Sequence, residues 1–217
     1  MPSKAYKNFG KNIDTVSRLQ KTYNDIRQAR HTKGKGAFDH ITRSAILFLV
    51  SSFEVYCEEV LYECCEKLIN TAKKGSALPT EVQKTINAYT KNEKNAALPM
   101  SLCDDGWKKI YCDMVKKRTD ALNTPNNHNL TDLFSSLVGV SDIKNIADIE
   151  KIDEIISFRG QITHRVKADS YVHIETVEEY REIVEKVVID IDKKLCDHIK
   201  RKYKTKAPWN NTYEELK

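Results

Sequence analysis

Apolar residues recur at intervals of three and four along most of this chain. Phe9, Ile13, Val16, Leu19, Tyr23 and Ile26 form the first series, a spacing that gathers them on one face of an amphipathic helix. The stretch His31-Thr32-Lys33-Gly34-Lys35-Gly36 ends it, because two glycines this close disfavour helix and supply a turn. The pattern predicts a longer helix over about residues 37–73. From Ala45 to Val50 it is apolar on more than one side, as suits a helix in the middle of a bundle. Pro79 fits the first turn of a short helix reaching about residue 92, and the segment up to Pro99 reads as irregular. Trp107, Ile110, Tyr111, Met114, Val115 and Leu122 mark another helix.

Asn123-Thr124-Pro125-Asn126-Asn127 is a loop signal, and Asn129 or Thr131 is expected to cap a short helix over 130–138. Ile149, Ile152, Ile155 and Ile156 lead a helix towards Arg159 and His164. Thr176-Val177-Glu178-Glu179 has the capping-box pattern. Val177, Tyr180, Val184, Val187, Ile191 and Leu195 then alternate at three and four for several turns. No repeat, no alternating run of strand length and no linker divides the chain. The expected fold is all-α: one bundle of long antiparallel helices over 1–204, a smaller helical insert at about 75–127, and a C-terminal tail at 205–217.

Composition narrows the class. The 217 residues are 40% apolar and 31% charged, with 7 Gly and 5 Pro. That is too apolar for a disordered chain and too poor in turn formers for an all-β sandwich. The net charge of +5 leans towards anionic partners without naming one. The longest apolar run, Ala45 to Val50, falls far short of the ~20 residues that cross a bilayer, so no membrane association is expected. The first residues contain no apolar leader, and the expected location is cytoplasmic. Six cysteines include no C-x-x-C pair and no histidine at zinc-finger spacing, so they read as reduced, packed thiols; no metal and no cofactor is expected.

The chemically informative stretch is Phe158-Arg159-Gly160-Gln161-Ile162-Thr163-His164-Arg165. On an ideal helix Arg159 and His164 are about 140° apart and do not share a face. They converge only if the helix unwinds near His164 or if a second copy brings its own pair. Taken alone, an arginine and a histidine near a helix end are ordinary surface residues, the histidine being favourable at the C-terminal dipole. P-loop, zinc-protease and serine-hydrolase motifs (G-x-x-x-x-G-K-[ST], H-E-x-x-H, G-x-S-x-G) are absent.

Three segments, in order, resemble the HEPN superfamily, and within it the RiboL-PSP type of HEPN domain. The first runs from Arg43 to Tyr56 and ends Phe53-Glu54-Val55-Tyr56, like the family's central helix. The second is Leu122-Asn123-Thr124-Pro125 with Leu130-Thr131-Asp132-Leu133-Phe134 and Val138-Gly139-Val140. The third is Arg159 to His164, fitting the R-x4-6-H signature, followed by a long helix through Ile189-Asp190-Ile191-Asp192. The resemblance implies a metal-independent endoribonuclease acting as a homodimer, in which Arg and His of both protomers line one cleft. Attack of the RNA 2′-OH on the adjacent phosphate would leave a 2′,3′-cyclic phosphate and a 5′-OH. His164 would then move the proton, Arg159 would stabilise charge on phosphorus, and Glu54 would orient one of them. A toxin or antiphage-defence role with an antitoxin or other neutralising protein as partner is the implied setting.

Two positions depart from the family pattern. Gly160 stands where Asn, Asp or His is common, which removes a side-chain hydrogen bond, and Arg165 replaces a small residue and offers an extra phosphate contact. The alternative reading is therefore a non-catalytic HEPN-like module that binds RNA or protein. Basic segments favour RNA in either case. Nine Lys/Arg against two acids occupy residues 1–35, and seven against Asp197 occupy 193–206. Lys200, Arg201 and Lys202 are the candidate RNA-binding residues, with Tyr203 and Trp209 as candidate stacking surfaces.

Overall fold

The computed structural model describes residues 1–30, 38–92, 98–164, 171–203, 207–210 and 212–213; for Arg30, His164 and Tyr203 it describes the backbone only. Among the described residues there are seven α-helices and no strand: α1 Lys4–Arg30, α2 Asp39–Thr71, α3 Thr80–Asn92, α4 Gly106–Thr119, α5 Asn127–Val138, α6 Ile149–His164 and α7 Ile174–Tyr203. The all-α expectation is met.

The long helix α2 is the axis of the bundle. Leu49, Phe53, Tyr56, Cys57, Val60, Leu61 and Cys64 are buried along it, and it touches α1, α4, α5, α6 and α7. Helix α1 runs antiparallel to it: Asn8 Nδ2 donates to Glu59 at 3.0 Å and the Lys4 amide donates to Glu63 at 2.7 Å. Helix α7 runs parallel to α2, with Thr42 Oγ1 donating to the Val172 carbonyl at 2.8 Å near one end and Tyr56 OH donating to the Val188 carbonyl at 3.1 Å further along. Between 75 and 127, α4 lies against α2 and α3 lies against α5. Tyr111 OH donates to the Leu137 carbonyl at 2.5 Å and fastens α4 to α5.

Three expectations are corrected at the level of ends and tails. Helix α5 begins at Asn127, and its cap is Asn126, whose Oδ1 accepts the Asn129 N–H at 2.8 Å; neither Asn129 nor Thr131 caps it. It stops at Gly139, whose φ of 78° is the left-handed value that glycine adopts freely. Helix α7 begins at Ile174, which puts Thr176 inside its first turn and leaves the capping box unused. The reason is a tertiary tether: the Val172 N–H donates to Asp39 Oδ1 at 2.6 Å while its carbonyl receives Thr42, so the helix starts directly after that anchor.

The third correction concerns Trp209, which is buried and offers no stacking surface. Its carbonyl accepts Cys196 Sγ at 3.1 Å, the Asn210 N–H donates to the Met1 carbonyl at 2.8 Å, and the Tyr213 ring meets Tyr6 edge-on at 5.0 Å. The tail is thereby folded onto both chain ends of the bundle.

Candidate active site

Isoleucines build the site. Ile149, Ile152, Ile155 and Ile162 are buried along one side of α6, and Arg159, four residues after Ile155 and three before Ile162, lies on that same side, half-buried. Phe158, one residue earlier, packs its ring edge-on against Tyr180 of α7 at 5.7 Å, so the α6–α7 contact holds the arginine's backbone. Arg159 also stands within electrostatic reach of Glu54 on α2. Burial pushes the Glu54 carboxyl above its ordinary value, and the guanidinium opposes that rise by favouring the carboxylate.

Helix α6 stays intact to its end. Thr163 Oγ1 donates to the carbonyls of Arg159 at 3.2 Å and Gly160 at 3.0 Å, and His164 is still helical. The unwinding that would swing His164 towards Arg159 does not occur in the backbone. Within one chain the two residues leave the helix about 140° apart. The His164 side chain and the whole of Arg165 lie outside the described residues.

Beyond His164 the chain returns at Val172, held at the N-terminal end of α2 by Asp39 and Thr42. Asp39 also forms an ion pair with Arg43, both side chains being mostly buried. Asp39 and Thr42 hold Val172, just ahead of α7, at that end of α2, with Arg43 paired to Asp39, and sequence reasoning did not find this anchor.

Two large apolar side chains on α2 are left in solvent nearby: Phe48 is 50% exposed and Val55 36%. Seven residues apart, they share the outer side of α2 with exposed Ser51. Gly160 faces open space, with nothing within 4 Å of where a side chain would start. Its own chain therefore gives no packing reason for a glycine there, although glycine inside a helix costs about 1 kcal/mol relative to alanine.

Lys200, Arg201 and Lys202 are exposed in the last turn of α7. At 1.5 Å per residue they lie roughly 30 Å along α7 from Tyr180, the level of Arg159. The structure does not bring them together with α6. Among the described residues no three His, Cys, Asp or Glu side chains converge as a metal site. No described helix is long and apolar enough to cross a membrane.

Comparison with known families decides the lineage. The model of the RiboL-PSP-HEPN family matches residues 5–197, from the first turn of α1 to near the end of α7. The chain belongs to the RiboL-PSP-HEPN family. No curated protein and no solved structure gives a significant match. The matched span of this HEPN domain includes all of α2 and α6 and stops before the tail that holds Trp209 and Tyr213.

Proposed function

We propose that this HEPN domain is a metal-independent endoribonuclease that works as a homodimer and leaves 2′,3′-cyclic phosphate and 5′-OH ends. The observation that carries the reading is the R-x4-H pair on an unbroken α6, its arginine partly exposed and electrostatically coupled to Glu54.

In this mechanism a neutral His164 takes the proton from the attacking 2′-OH. The new P–O bond forms as the bond to the 5′-oxygen breaks, and that oxygen receives a proton from a protonated imidazole. Such proton transfers contribute about 10²–10⁴ in rate, and an imidazole titrating near neutrality suits both directions. Arg159 holds the phosphoryl oxygens with its fork of donors as negative charge builds. Glu54 orients the guanidinium.

Two copies supply what one helix does not. Since Arg159 and His164 diverge on α6, the pair facing a single phosphate comes from both protomers, with the exposed Phe48 and Val55 of α2 supplying apolar contact between them. Activity of this kind suits a toxin or antiphage effector restrained by a neutralising protein.

Gly160 favours the second reading, a HEPN module that binds RNA or protein without cutting. One experiment separates the two: purified wild type, Arg159→Ala and His164→Ala are incubated with RNA, with and without EDTA. Cleavage that is insensitive to EDTA and lost in both variants, with helical circular dichroism retained, supports the nuclease; RNA bound but uncut by wild type selects the binding module.

A further inference from the structure

At the C-terminal end of α2, far from Arg159, the surface opens into a cleft of about 470 Å³, within the ~300–1,000 Å³ common for small-ligand sites. Buried Ile86 and Trp107 line it together with Leu102. Gly75 lets the backbone lie close against the indole, since a side chain there would come within 3.3 Å of it. Exposed Lys73, Lys74 and Asn87 line it as well, so apolar surface and charge meet in one place.

A second basic run reaches the same end of the bundle. A carbon placed on Gly139 would meet the Pro79 ring at 2.5 Å and lie 3.9 Å from His198 Nε2. The loop that leaves the cleft and the last turns of α7 are therefore neighbours. Burial first, then the charge of Lys202, holds the His198 imidazole below its ordinary value, against the opposing charge of Asp142. Lys194 is neutralised by Asp142 at 2.7 Å, whereas Lys73 and Lys74 form no ion pair among the described residues.

The chemistry selects a ligand with two parts. A planar base fits the apolar lining, Asn87 offers both a donor and an acceptor to its edge, and the two ammonium groups suit a phosphate. Asp104 also lines the cleft and opposes any anion there, so the apolar lining and the Asn87 amide must add to the two lysines, contacts that a nucleotide's base makes and an inorganic anion does not. We propose that this cleft is a second nucleotide subsite for the RNA strand, about 25 Å along α2 from Glu54, which holds one base and its phosphate while the strand extends to Arg159. The proposal rests on the RNA reading above and adds a substrate requirement: the strand must be long enough to bridge both ends of the bundle.

The test uses the full chain, a long single-stranded RNA, a trinucleotide, and AMP as a mononucleotide probe. In Lys73→Ala/Lys74→Ala, affinity for the long RNA should fall roughly tenfold, and its salt slope should become shallower by about 0.7, one phosphate contact on a single strand. Affinity for the trinucleotide at α6 should not change. AMP should bind wild type and be lost in the double variant and in Asn87→Ala, while inorganic phosphate should not compete with it. Unchanged long-RNA affinity, an equal loss for both RNAs, or no AMP binding overturns the subsite. Wild type that cuts RNA while the lysine variant binds it normally removes the cleft alone. Wild type that binds long RNA through these lysines and never cuts it removes the nuclease reading alone.

Discussion

Glu54 of α2 and Arg159 of α6 are electrostatically coupled across the helix–helix contact, the guanidinium restraining a carboxyl that burial pushes upward. Removing the positive charge should therefore raise the Glu54 pKa further, and Arg159→Lys should leave it nearly unchanged. Carbon-detected NMR titration of Glu54 reads both. In the proposed reaction Glu54 orients Arg159 only when ionised, so the acid limb of the cleavage rate should follow Glu54 as well as His164. Glu54→Gln should lower the rate by about tenfold, the loss of one charge-assisted contact worth about 1.5 kcal/mol, and should simplify that limb. An identical pH profile in Glu54→Gln would remove the orienting role.

The exposed pair Phe48 and Val55 should bury in the homodimer. Phe48→Glu with Val55→Lys places charges where an apolar contact is expected and should shift sedimentation from dimer to monomer. Cleavage should fall in parallel while helical content holds, because both side chains are already in solvent in the single chain. A monomer that cleaves at the wild-type rate would defeat the shared-site mechanism.

Gly160 has room for a side chain. Gly160→Ala should stabilise the fold by about 0.5–1 kcal/mol in denaturant titration, the helix-propensity difference. Gly160→Asn restores a donor and an acceptor beside Arg159 and should raise the cleavage rate. If both variants instead lose activity while gaining stability, the glycine is needed for close approach by RNA or the second protomer.

The buried carboxyl of Asp192 collects the chain ends. Ser3 donates to it through its hydroxyl, Tyr213 OH at 2.8 Å and Tyr56 OH at 3.4 Å. Asp192→Ala leaves these hydroxyls without their acceptor and should cost about 2–3 kcal/mol, with Tyr56 retaining the Val188 carbonyl. Burial pushes the Asp192 pKa upward despite these donors. A raised folded pKa means that the stability linked to this group is complete below its ordinary carboxylate value. It is lost as pH rises through the folded value. Asp192→Asn should abolish that part of the pH dependence, as measured by urea denaturation across the acid range.

Helix α2 was legible because its apolar residues run on more than one side, and α6 because isoleucines recur at three and four. Helix periodicity is local, and burial preserves it. The starts of α5 and α7 were not legible at the same level. Asn126, Asn129 and Thr131 are all competent caps by residue type, and only the path of the chain selected Asn126. The capping box at Thr176 lost to the contacts of Val172 with Asp39 and Thr42, 133 and 130 positions apart in sequence. Trp209 read as an exposed aromatic in a basic tail, yet the tail closes over Cys196 and Met1.

By itself the sequence determined the all-α class, the central helix and the Arg159–His164 spacing, since each depends on residue type and interval along one chain. Tertiary structure alone decided that Glu54 sits within reach of Arg159, that α6 stays helical through His164, and that Lys73 and Lys200 share the far end of the bundle. Those relationships join residues distant in sequence, and the packing of whole helices sets them.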